Sequence, residues 1–273
     1  MFKKILSTAL AMAMVLSMAV STSAALGKPG SSTPSTKTEQ SSSSSKKSSS
    51  SSSSSKGHDL CKTQLAKDKL ALSMHNTFLS GLKANKDKIT VSIKGYTEKQ
   101  VYAAFQSSLQ MIFDEHPEIF WLDTMQNLVV SSDHKTLTFY PRPASGYGTA
   151  SKDGLTASKL NTTAIKNTTA KMNEAVKKMT GSTTYEQVKA IHDGIINKTQ
   201  YPANPDKATH NQHQAVGPLV EGKAVCDGYA KAFKYACDQK GIPCVIVVGN
   251  ATNNIGEKGT HAWNYVQVDG KWY

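Results

Sequence analysis

Gly222-Lys223-Ala224-Val225-Cys226-Asp227-Gly228-Tyr229-Ala230-Lys231-Ala232-Phe233 is the stretch on which the fold turns. Cys226, Ala230, Phe233 and Cys237 recur at helical spacing, so they share one face of a helix. That helix is predicted to begin at or just before Cys226 and to end at the C-cap signal Lys240-Gly241. The Cys226 sulfur therefore sits in the first turn. Free backbone N–H groups and the positive dipole end favour a thiolate there. The same N–H groups are ready to stabilise an oxyanion. Gly228 lets another backbone approach the helix closely.

Downstream, Pro243 ends the connection and Val245–Val248 reads as a buried strand. Gly249–Gly259 reads as a polar loop, and His261–Val268 as a second strand. Asp269-Gly270 is a two-residue hairpin signal, and Lys271-Trp272-Tyr273 begins a third strand. A helix carrying Cys226 at its N-terminus and packed on an antiparallel sheet makes this an α+β core.

Upstream lies a region of helices and one hairpin. Asp59 is placed to cap a helix carrying Leu60, Leu65, Leu70, Phe78 and Leu82. Ile89–Ile93 alternates as a strand. Thr97 with Gln100 has the form of a capping box, and Pro117 stops the helix it opens. Asn127–Val130 and Lys135–Tyr140 read as a hairpin across Ser131–His134. Tyr140–Gly154 is turn-rich and marks a boundary. Polar helices are predicted near Thr156–Met179 and over Thr184–Lys198, the latter with Tyr185, Val188, Ile191, Ile195 and Ile196 on one face. The division is then 58–150 for the N-terminal region and 151–273 for the core.

The first 57 residues have other uses. Lys3 and Lys4, the apolar run Ile5–Val20 and the small residues Ser21–Ala25 read as a secretory signal peptide over 1–25, cleaved after Ala24 or Ala25. An uncleaved anchor is the other reading of that run. Residues 26–57 are a Ser/Lys-rich linker with no large apolar side chain between Leu26 and Leu60, so nothing offsets the entropy of ordering it. As a flexible tether it spans about 30 Å root-mean-square. A plain spacer and a cationic arm resting on an anionic cell surface both fit, and the few Lys among many Ser favour the spacer. The expected location is extracellular or at the cell surface.

Charge narrows the partners. The chain of 273 residues carries a formal +12, and residues 1–57 hold half of that surplus. Arg142 is the only Arg. A nucleic-acid reader relies on Arg for bidentate contacts, so nucleic acid is not expected as a partner. No apolar run reaches the length of a membrane span, so no integral segment is expected once the signal is removed.

"GKAVCDGYAKAFKYACDQKGIP" over 222–243 and "THAWNYVQVDGKWY" over 260–273 closely resemble the transglutaminase-like superfamily core, which joins transglutaminases with papain-type thiol proteases. "TTYEQVKAIHDGIINKTQY" over 183–201 resembles the helix that precedes the core in bacterial members, and "HPEIFWL" over 116–122 resembles their N-terminal region. The resemblance implies Cys226 as nucleophile and His261 as general base. It implies a protein or peptide substrate, attack on a carboxamide or peptide carbonyl, and transfer of the acyl group to an amine or to water. No cofactor and no metal is implied. The family's third catalytic residue, an Asp, lies a few residues past the Trp-Tyr pair, and the sequence stops at Tyr273. An incomplete chain, or an inactive core that keeps a peptide- or surface-binding cleft, is therefore the alternative expectation. Asp269 sits in the hairpin turn and does not replace the missing carboxylate.

Other residues have plainer readings. Cys237 lies about 16 Å from Cys226 by helical rise, too far for a disulfide, and is expected in the core. Cys61 and Cys244 are free or paired. His210 and His213 have metal-ligand spacing but no acidic or thiol cluster beside them in sequence. His192 borders the apolar face of its helix and is expected to be structural, whereas Trp263 and Trp272 are expected in the core or the cleft wall.

Overall fold

Local capping sets the helix limits, and long-range strand pairing then assembles them. The computed structural model describes residues 61–153, 156–252 and 258–273. The signal-peptide and linker expectations for 1–57 lie outside those residues.

Two short helical segments replace the single helix expected after Asp59. α1 is Cys61–Gln64 and α2 is Lys69–Lys83. Asp68 causes the break. Its backbone is extended and its carboxylate accepts from Ala71 N–H at 2.9 Å, so it starts a new helix. β1 (Ile89–Ser92) alternates buried and exposed as expected. α3 (Glu98–Glu115) opens on the expected Thr97/Gln100 capping box and ends at His116, before Pro117. β2 (Leu128–Val130) and β3 (Thr136–Phe139) form the expected hairpin, and β1 joins the free side of β3, giving the order β1-β3-β2.

The polar helix expected from Thr156 begins later. β4 (Gly148–Thr149) pairs with β5 (Lys159–Leu160), which draws those residues into a ribbon. Asn161 then caps α4 (Thr162–Lys177). α5 (Thr184–Ile196) opens on a second capping box, Thr183 with Glu186. Only part of its expected apolar face is buried. Ile191 and Ile195 are in the core, whereas Tyr185 and Ile196 are exposed.

α6 (Cys226–Lys240) ends at Gly241, whose φ of 70° suits a residue without a Cβ. β6 (Cys244–Thr252), β7 (Lys258–Val268) and β8 (Lys271–Trp272) form an antiparallel sheet in that order. Asp269 and Gly270, with φ of 49° and 79°, make the two-residue turn. The polar loop expected over Gly249–Gly259 is shorter, because the β6–β7 ladder continues out to Thr252 opposite Lys258. Backbone pairing needs no apolar side chains where the strand faces water.

A shared core joins the helices α2 and α3 to α6 and the second sheet. Phe78 and Phe139 each meet Phe105 edge to face, and Tyr235, Cys237 and Cys244 belong to the same cluster. Lys234 ties α6 to α3. It is buried and reaches Glu115 of α3 at 3.3 Å, Asp238 at 3.2 Å and the Cys244 carbonyl at 3.1 Å. Burial pushes the Glu115 carboxyl up to about 7, against the pull of Lys234, and pushes Asp238 up to about 6.

A raised carboxyl holds its proton more tightly when folded than when unfolded. Its stabilising contribution is present below pH 4.5 and is lost as pH climbs to about 7. Glu115→Gln should flatten this fall, by on the order of 2–3 kcal/mol between those pH values. Urea denaturation of both proteins at pH 5 and pH 7 measures it.

Candidate active site

Small residues set the distance between α6 and β7. Ala230 of α6, Ile246 of β6 and Ala262 of β7 form a minor apolar cluster, with Cys226 packed on its edge. No bulky side chain separates helix from strand there. Asn264 then fastens them, donating from Nδ2 to the Ala230 carbonyl at 3.0 Å. Strand alternation sends Ala262 and Asn264 toward α6. His261 and Trp263 take the alternate positions, with their rings stacked at 6.3 Å and 25°. His261 pairs with Gly249 across the ladder, and the absence of a Cβ at Gly249 makes room for the Trp263 ring.

The start of α6 is held from below. Asn211, Gln212 and His213 form part of a short 3₁₀ turn. The Gln212 carbonyl accepts from Val225 N–H at 3.1 Å and lies where a Cβ on Gly228 would stand, 2.2 Å from it. This is the close backbone approach expected of Gly228. His213 Nδ1 lies 3.0 Å from Asp227, and Lys231 donates to the His213 carbonyl at 2.9 Å. Burial pulls the His210 imidazole pKa down, and its Nε2 bonds the Phe120 carbonyl at 2.7 Å. The two histidines with metal-ligand spacing thus serve different protein partners. Among the described residues no group of three His, Cys, Asp or Glu side chains is arranged to hold a metal.

A cleft of about 340 Å³ opens between α5, α6 and β7, lined by both Cys226 and His261. Its walls are largely apolar or aromatic: Ile195, Ile196, Tyr229, Phe233 and Trp263. Cys226 is a free, half-buried thiol. Cys237 and Cys244 are free and fully buried. They neighbour each other, and the bond to Cys244 together with burial pushes the Cys237 thiol well up. Cys237 is therefore a core residue, as expected. The Cys61 side chain lies outside the described residues.

Sequence reasoning missed two lining residues. His192 is exposed, bonds Asp193 at 3.0 Å and faces the cleft from α5 rather than serving the core. Tyr201 arrives through a parallel bridge between Gln200 and Lys223, closed by Gln200 N–H to the Gly222 carbonyl and Ala224 N–H to the Gln200 carbonyl. Its ring stacks on Tyr229 at 6.3 Å, and its hydroxyl lies beside Cys226. Burial and that thiol raise its phenol, so it remains a hydrogen-bond donor at neutral pH. No local signal marks Tyr201, because a single bridge between residues far apart in sequence brings it in.

Residues 172–273 match the transglutaminase-like superfamily. This segment is a transglutaminase-like core. Among curated proteins, the chain is 33% identical over 98 residues to the kyphoscoliosis peptidase of Mus musculus, and 32% identical over 101 residues to that of Homo sapiens. These matches cover 32% and 33% of this chain, and the chain spans only 14% and 15% of the length of those relatives. Among solved structures, a candidate cysteine protease from Cytophaga hutchinsonii is similar with a TM-score of 0.33 and 19% identity, over 50% of this chain and 51% of that one. A TGase structure is similar with a TM-score of 0.32 and 18% identity, over 68% of this chain and 49% of that one. The transglutaminase-like core contains both Cys226 and His261. Tyr201 lies within it as well. Among the described residues no helix is long and apolar enough to cross a membrane.

Glycine-to-alanine changes inside helices usually stabilise slightly. Gly228→Ala should instead destabilise the chain by about 1–3 kcal/mol, because the new Cβ must displace the Gln212 carbonyl. Chemical denaturation of the two proteins tests this.

Proposed function

We propose that this chain is an exported thiol acyltransferase of transglutaminase-like type, with Cys226 as nucleophile and His261 as base. The observation that carries the reading is that one cleft, inside the segment matching the family, is lined by a helix-N-terminal cysteine and by the histidine of the adjoining strand. Export rests on the cationic, apolar and small-residue order of residues 1–25.

The chemistry follows from those groups. The Cys226 proton passes to the His261 imidazole as sulfur attacks a carboxamide or peptide carbonyl carbon. The carbonyl π pair moves onto oxygen, beside the N–H groups at the start of α6. Collapse of that intermediate breaks the C–N bond, and the imidazolium returns the proton to the departing amine. A thioester remains on Cys226. An amine or water then attacks it, with His261 taking the proton and returning it to sulfur. The products are a new amide or a carboxylic acid. The apolar and aromatic walls suit a peptide segment bearing aliphatic or aromatic side chains.

Incubation with p-nitrophenyl acetate, followed by intact-protein and peptide mass spectrometry, tests the assignment. An acetyl group should appear on Cys226 and be absent from Cys226→Ala. Added biotinyl-cadaverine should take up the acyl group if amines are the acceptors, and should have no effect if water is. A chain that binds peptide but is never acylated would instead be a binding module.

A further inference from the structure

Two negative groups compete for the positive end of α6. Val225 stands at the N-cap and makes no side-chain cap bond. The Asp227 carboxylate caps the helix instead, accepting from Gly228 N–H at 3.0 Å. It thereby takes up one of the free N–H groups beside Cys226. It also sets a full negative charge where the helix dipole supplies only about half a positive one. A carboxylate one residue from the reacting sulfur opposes the thiolate that the helix end favours. His213 meets that carboxylate. Its Nδ1 lies 3.0 and 3.1 Å from the two Asp227 oxygens, so the ring proton is shared between them. The Asp227 side chain is only 14% exposed, which weakens screening of the pair by solvent. Main-chain bonds hold the imidazole in place. The neighbouring Gln212 carbonyl accepts from Val225 N–H, and buried Lys231 donates to the His213 carbonyl. Asp114 of α3 and Tyr201 also lie within electrostatic reach of Asp227.

We propose that His213 is a positioning residue for the thiol: by holding the Asp227 carboxylate it keeps that charge off Cys226 and leaves the helix end free to stabilise the thiolate. The inference deepens the reading of Cys226 as nucleophile and rests on it. His213 touches neither sulfur nor substrate. It acts through Asp227 alone, by sharing a proton with both carboxylate oxygens and by fixing the direction in which they point. Without it, Asp227 keeps its bond to Gly228 N–H but carries its whole charge within the first turn, beside the sulfur. Asp227 and His213 thus form a matched pair, in which losing the base harms the thiolate only while the acid remains.

That dependence gives the test, a double-mutant cycle read on the pH–rate profile of Cys226 alkylation by iodoacetamide, followed by peptide mass spectrometry. His213→Ala should move the midpoint of the profile up by about 0.5–1.5 pH units, the size expected for one charge released near another at a partly buried helix end. Asp227→Asn should leave the midpoint where it is or move it down. In the Asp227→Asn background, His213→Ala should move it little further. Unchanged plateau rates in alkaline solution certify that the sulfur is equally accessible in all four proteins. His213→Gln keeps the bulk and an N–H donor; its midpoint should rise less than that of His213→Ala, again only while Asp227 is present, and it replaces the alanine variant in the cycle if that one does not fold. An equal rise in both backgrounds would mean that His213 acts through the fold, and would overturn the proposal. No rise in either background would make it a bystander and overturn it as well. If Cys226 of the unaltered protein is never acetylated by p-nitrophenyl acetate, the acyltransferase reading fails instead, while the profile shifts still decide what His213 does to the thiol.

Discussion

The close seating of α6 on β7 is the contact on which the rest depends. Alanine at 230 and 262 lets helix and strand approach, and the Asn264 amide closes the remaining gap with a bond to the Ala230 carbonyl. A larger side chain at either alanine would move the start of α6 away from the strand bearing His261. The two cleft residues Cys226 and His261 sit on the two elements that this contact brings together. The cleft is therefore a product of packing, and its geometry is as stiff as the core beneath it.

That core extends well beyond the matched segment. Lys234 ties α6 to Glu115 on α3, and His210 ties the loop under Cys226 to the Phe120 carbonyl. The helix that presents the thiol is thus held by the N-terminal region as well as by its own sheet. A buried lysine shared between two carboxylates costs desolvation, and its contribution is better understood as fixing one register of α6 than as adding stability. The raised carboxyls beside it show the same cost from the other side.

Features encoded within a few residues were legible in the sequence. The Thr97 and Thr183 helix starts, the Gly241 cap and the Asp269-Gly270 turn each depend on a single local bond or dihedral. Cys226 at its helix start and His261 on its strand were legible for the same reason. Asp68 was a local signal overlooked, since the apolar spacing around it continues undisturbed. The β1–β3 pairing, the Lys234 ion cluster and the Gln200–Lys223 bridge were not legible, because each joins segments whose separate patterns say nothing of one another. Tyr201 belongs with these, and its place at the thiol is visible only once the bridge is formed. His192 illustrates a different failure. A histidine at the border of an apolar helix face gives no sign of whether a core or a cleft lies opposite.

The central claim is that Cys226 and His261 act as one unit, and the pH–rate profile for alkylation of Cys226 by iodoacetamide tests it most directly. In the unaltered protein the reaction should be well advanced at neutral pH. In His261→Ala it should slow at neutral pH by about tenfold or more. Superimposable profiles for the two proteins would contradict the claim.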